Sequence, residues 1–81
     1  MKRLGANYSM ISDKICRKIR LERQKLGLSQ EEFADKAGLS RNAICKIESG
    51  KVSPTLETLE KIASGLEMEL VDLIDVTKVE L

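Results

Sequence analysis

The chain has no histidine and no tryptophan, one proline (Pro54), and only two aromatic residues, Tyr8 and Phe33. Without histidine there is no Ser-His-Asp triad and no imidazole base, so a serine nucleophile has lost its usual partner. No catalytic residue is expected. The two cysteines, Cys16 and Cys45, lie 29 positions apart, which matches neither a redox CxxC nor a zinc pattern. No metal site and no cofactor are expected. One Cys16–Cys45 disulfide stays open on this spacing, but two separate thiols are the preferred reading for a reducing compartment. No apolar run approaches the roughly 20 residues that cross a bilayer. The start, Met1-Lys2-Arg3-Leu4, lacks the apolar stretch of a secretory leader. A cytoplasmic protein without membrane contact is expected.

What is present is charge and aliphatic bulk. The 81 residues suit one small domain with one core. Net charge is only +1, but its distribution is uneven. Residues 1–26 hold eight Lys or Arg against two acids, 27–54 hold four of each, and 55–81 hold two Lys against seven acids. Such a dipolar chain can turn a positive face toward a polyanion, although ordinary solvated helix faces would look similar.

Many Leu, Ile, Ala, Glu and Lys with few β-branched or aromatic residues point to an all-α fold. Residues 1–11 read as an irregular arm. Ser12 offers an N-cap, and Ile15, Ile19 and Leu26 share one face, predicting a first helix over 12–26 that ends at Gly27. Ser29-Gln30-Glu31-Glu32 is a capping box for a second helix, which buries Phe33, Ala34 and Ala37 and stops at Gly38. Ser40 caps a third helix with Ile44 and Ile47 inward, closed by Gly50. Thr55, preset by Pro54, caps a fourth whose inward stripe is Leu56, Leu59, Ile62, Ala63 and Leu66. Leu70, Leu73 and Ile74 suit a short fifth helix over about 69–75, while Val71, Val76 and Val79 also permit a strand. The helix is the preferred reading, with 76–81 as a tail that can extend as a short strand across a dimer. The organisation is thus an arm (1–11), one domain (12–75) and a tail (76–81).

Residues 30–49 carry the strongest functional signal. Two short amphipathic helices meet at a three-residue turn, where Gly38 is expected at positive φ and Ala34 is small at the crossing. With Ile44 inward and about 100° per residue, Asn42, Cys45, Lys46 and Ser49 point away, with Arg41 on the shoulder. Arg pairs bidentately with guanine and Asn with adenine, in a major groove about 12 Å wide. A helix crossing that presents this stripe outward favours double-stranded DNA over a merely solvated face.

Taken together, Leu28-Ser29-Gln30-Glu31-Glu32-Phe33-Ala34, Ala37-Gly38-Leu39-Ser40, Ile44 to Gly50 and Pro54 to Leu59 resemble the Cro/C1-type helix-turn-helix family. The resemblance covers residues 12–75. It implies a compact five-helix bundle of the lambda-repressor-like type, a homodimer, and a third helix that enters the major groove. By position it implies base reading by Arg41, Asn42, Cys45 and Lys46. It implies DNA-backbone contact by Gln30, Ser40, Ser49 and Lys51, with Gln30 also bracing the third helix. Arg23 and Glu48 match an ion pair, which is expected to be structural because partly buried pairs fix orientation more than they add stability. Cys45 departs from the usual polar reader and could meet a thymine methyl. Glu67-Met68-Glu69 replaces the commoner Gly-Val-Ser/Thr leading into the fifth helix.

One reading helix covers too few base pairs to find a site in a genome. A twofold dimer spaces two helices about 34 Å apart and reads a near-palindrome. Val71, Ile74, Val76, Val79 and Leu81 are the apolar residues available for that interface. Lys14, Arg17, Lys18 and Arg20 could add phosphate contacts. The expected function is a transcriptional regulator acting as a repressor. The alternative is an antitoxin that also binds a toxin protein, motivated by the acidic last third and the terminal strand.

Overall fold

The structure, a computed structural model, describes residues 3–76, with side chains from residue 11 onward. Five helices follow in order: α1 (Arg3–Lys25), α2 (Gln30–Ala37), α3 (Arg41–Glu48), α4 (Leu56–Gly65) and α5 (Leu70–Ile74). Neither a strand nor a helix long and apolar enough to cross a membrane occurs among the described residues.

Each helix contributes one large side chain with essentially no exposure: Ile19, Phe33, Ile44, Ile62 and Leu73. Burying each is worth about 1.5–3 kcal/mol relative to exposure. Cys16, Ala34, Ala37, Ile47, Leu59, Ala63 and Leu66 complete this core, and Ile15, Leu28, Leu39, Met68 and Leu70 pack around it. The contacts run α2 on α3 and α4, α1 on α3 and α5, and α4 on α5. Thus α1 touches both the third helix and the last one.

Local chemistry explains most helix ends. Ser29 Oγ accepts the Glu32 N–H at 3.0 Å, while Glu32 Oε1 accepts the Ser29 N–H at 2.8 Å, so both halves of the capping box form. Ser40 and Thr55 likewise accept from the N–H three residues on, that of Ala43 and Thr58. Gly38 lies at φ 72°, where an L side chain would be strained.

Three expectations need correction. The first helix does not begin at Ser12 after an arm but at Arg3. Residues 3–11 hold no proline, and adding turns to an existing helix costs far less than nucleating one. Ser12 therefore sits inside α1, its Oγ 3.0 Å from Ser53 Oγ. Leu26, expected inward, is 47% exposed because the chain leaves helical geometry at Lys25. Leu56, expected in the buried stripe of α4, is 70% exposed: it is the first residue of that helix, and burial begins only one turn later, at Leu59. The question left open over 69–75 resolves as helix. Val79 and Leu81 lie outside the described residues.

The positive-φ site that sequence reading passed over is Glu67, at φ 60°. It occupies the left-handed position that closes α4: its N–H donates to the Ser64 carbonyl at 3.0 Å and that of Met68 to Ala63 at 2.9 Å. Glycine normally takes this place. The departure from Gly-Val-Ser/Thr thus falls on a residue whose backbone wants glycine.

Candidate nucleic-acid interface

The geometry of α3 follows from how α2 ends. Gly38 in the left-handed conformation lets the Leu39 N–H return to the Ala34 carbonyl at 2.9 Å, and Ser40 then starts α3 at once. Ala34, 1% exposed, leaves room for the crossing. Ile44 and Ile47 fill the core, so the opposite side of α3 must face solvent.

Arg41, Asn42, Cys45 and Lys46 are all exposed on α3. Three of the four present polar or cationic heads and the fourth a free thiol. Ser49 caps the end of α3 and its Oγ donates to the Lys46 carbonyl at 3.1 Å, so this hydroxyl is already engaged. Ser40 is exposed, but its Oγ is committed to the Ala43 N–H. Lys51 is exposed in the connection that follows. Beside α3 runs an open groove of about 310 Å³, whose lining includes Asn42 and Lys46 of α3 and Val52, Ser53, Pro54 and Thr55 of the connection that follows.

A buried network fixes α3 from behind. Glu48 is 6% exposed, and its two carboxylate oxygens accept three donors. Arg23 Nε reaches Oε2 at 2.7 Å, Arg23 Nη2 reaches Oε1 at 3.0 Å, and Gln30 Nε2 donates to Oε1 at 3.1 Å. The remaining arm of the guanidinium, Nη1, donates to the Leu28 carbonyl at 2.7 Å. No buried side-chain polar atom among the described residues lacks a partner. The ion pair expected between Arg23 and Glu48 is present, and Gln30 braces α3 through the same carboxylate. A planar fork on a carboxylate sets orientation as well as distance. This network ties the last turn of α3 to α1 and to the first residue of α2.

Two groups have shifted protonation. The Glu32 carboxyl is held below its ordinary range by the Ser29 backbone N–H and then by the Ser29 hydroxyl. Burial pushes the Cys16 thiol up, with the nearby Asp13 charge acting the same way. Cys16 is thus a neutral core thiol. Both cysteines are free, Cys16 buried and Cys45 exposed, so the disulfide left open by their spacing does not form.

Sequence reading missed three contacts. Lys18, taken as a candidate phosphate contact, instead donates its Nζ to the Asp72 carbonyl and, at 2.6 Å, to that of Asp75. Nothing in a linear pattern links residues that far apart. Gly65 lies so close to α2 that a Cβ there would sit 3.0 Å from Ala37 Cβ and 3.1 Å from its backbone. A glycine inside an otherwise helical stripe was the available signal. The third is the hydroxyl contact between Ser12 and Ser53, which ties α1 to the groove wall.

Residues 19–73 match the model of the helix-turn-helix family. Over 54 residues the chain is 41% identical to an uncharacterised HTH-type transcriptional regulator of Methanothermobacter thermautotrophicus, spanning 67% of this chain and 78% of that protein. Over 60 residues it is 37% identical to the cryptic phage CTXphi transcriptional repressor RstR of Vibrio cholerae, spanning 74% of this chain and 54% of the other. Among solved structures, the restriction-modification controller protein C.AhdI from Aeromonas hydrophila aligns with a TM-score of 0.76 at 30% identity, over 82% of this chain and 96% of that one.

Proposed function

The chain belongs to the helix-turn-helix family of transcriptional regulators, and from that premise we propose that it is a homodimeric, sequence-specific repressor, cytoplasmic and without enzymatic activity. The observation that carries the reading is the stripe Arg41, Asn42, Cys45 and Lys46, exposed on a helix whose other side is anchored by Ile44, Ile47 and the Arg23–Glu48 fork. Rigid presentation matters because base-edge hydrogen bonds tolerate little angular error. Arg41 is assigned to guanine, Asn42 to adenine, Lys46 to an acceptor edge and Cys45 to a thymine methyl.

Gln30 and Lys51 are assigned to flanking phosphates, which set register without reading sequence. Ser40 joins them through its hydroxyl hydrogen, left free while its Oγ accepts the Ala43 N–H, whereas Ser49 has to release the Lys46 carbonyl before its hydroxyl can donate to a phosphate. The dimer face is assigned to α5, where Val71 is 67% and Ile74 39% exposed, continued by Val76. Two copies reading a near-palindrome would block polymerase by occupancy, in keeping with the repressor among the relatives.

Arg41→Ala and Asn42→Ala test the assignment in a gel shift with competitor duplexes. Each is expected to relax preference at one base step, worth about 1–3 kcal/mol of discrimination. Unchanged preference in both folded variants would reject it. The antitoxin alternative keeps the acidic last third as its support, and the tail that would serve it lies, beyond Val76, outside the described residues. Co-purification with a toxin-like product of a neighbouring gene is the result that would favour it.

A further inference from the structure

The α5 helix has only five residues and no side-chain cap at its start, where Glu69 occupies the N-cap position without bonding back. A helix this short has no stability of its own. Besides Leu70, which packs against the core, two contacts hold it. Leu73 is fully buried in the core, and the Lys18 ammonium donates to the carbonyls of Asp72 and Asp75 at its C-terminal end. A cation on the last carbonyls complements both these acceptors and the negative end of the helix dipole. Lys18 therefore acts as a C-terminal cap supplied by α1, across 54 and 57 positions of sequence.

The same α1 holds the recognition helix. Five residues beyond Lys18, Arg23 forks onto Glu48 at the end of α3. One rigid helix thus carries the α5 latch at one point and the α3 anchor at another, less than two turns apart. Val71 and Ile74 are exposed on α5, the helix whose C-terminal carbonyls Lys18 meets.

We propose that Lys18 is a positioning residue for dimerisation: it docks α5 so that the dimer face and the recognition helix keep a fixed relation. The inference rests on the homodimer reading above. Two copies must both be docked to pair, so the apparent dissociation constant rises as the inverse square of the docked fraction. A drop of that fraction to about one third weakens the dimer by about tenfold.

The test compares wild type, Lys18→Met, Lys18→Gln and Lys18→Arg by sedimentation equilibrium, with amide hydrogen exchange measured on each. Lys18→Met and Lys18→Gln are expected to weaken the dimer by about tenfold and to speed exchange at the Leu73 and Ile74 amides by at least as large a factor, because exchange follows the undocked fraction. Exchange in α2 and α3 should stay at the wild-type rate, and Lys18→Arg should retain the dimer. The glutamine variant removes the charge while filling similar space, so it serves if the methionine variant fails to fold. Wild-type dimer constants and wild-type α5 exchange in folded Lys18→Gln would overturn the inference alone. A wild type that is monomeric at millimolar concentration would overturn the homodimer reading, and this inference with it.

Discussion

Gly65 and Glu67 stand two positions apart and carry opposite errors of side-chain size. At Gly65 the fit against α2 is tight: an added Cβ meets the Ala37 Cβ at 3.0 Å and its backbone at 3.1 Å, so α2 would have to shift by a few tenths of an ångström. Alanine would improve the intrinsic helix preference of that position by about 1 kcal/mol. The steric cost is expected to win, because the opposing atoms include main chain, and Gly65→Ala should destabilise by about 1–3 kcal/mol. Urea unfolding decides the sign. At Glu67 the side chain is 71% exposed but the backbone is left-handed, a conformation that costs a non-glycine residue about 1–2 kcal/mol. Its exposed pair with Lys36 at 3.1 Å contributes little. Glu67→Gly should therefore stabilise by about 0.5–1 kcal/mol, seen as a higher melting temperature; an unchanged or lower one would mean the ion pair matters more than the strain.

At the scale of the element, the caps account for what could be foreseen. Ser29, Ser40 and Thr55 each bond within three residues of themselves, so α2, α3 and α4 start where local rules place them. Ser12 looked like the same kind of signal, yet nothing in residues 3–11 stops a helix from running through it. A cap residue marks a start only when the preceding chain must be non-helical. The stripe on α3 was legible for the same reason as its cap, because periodicity and Gly38 decide which side faces out. The Lys18 contact with α5 was not, since it depends on a helix-to-helix distance that no local window contains; at Gly65 the glycine itself was a local signal, but its contact with Ala37 was not.

The capping box also gives α2 a pH signature. The folded Glu32 carboxyl lies below its ordinary value, so the box adds stability when pH is above the unfolded glutamate range. That contribution is lost as pH falls through the folded value. Glu32→Gln should flatten this part of the stability-against-pH curve on the acid side, measured by chemical unfolding at several pH values. The Arg23–Glu48 fork behaves differently. Glu48→Ala strands a guanidinium that is only 12% exposed, and about 3–5 kcal/mol of destabilisation is expected. Replacing both partners, as Arg23→Met with Glu48→Leu, should recover much of that loss. A single variant as stable as wild type would show that the network is ornamental.

For the molecule as a whole, charge and shape point to one division of labour. The basic first third supplies α1, which links α3 to α5, and the acidic last third supplies α4 and α5. The exposed residues of α3, Arg41, Asn42, Cys45 and Lys46, fall between them in the sequence. The measurement that tests this account most directly is selection from random duplex DNA by wild type and by Asn42→Ala. Wild type is expected to enrich a near-palindrome with half-site centres about 34 Å apart, one turn of DNA. Asn42→Ala should keep that spacing and lose preference at one symmetric position in each half-site. No enrichment over random duplex by wild type, or the same preferred sequence from both proteins, would contradict the claim that α3 reads DNA.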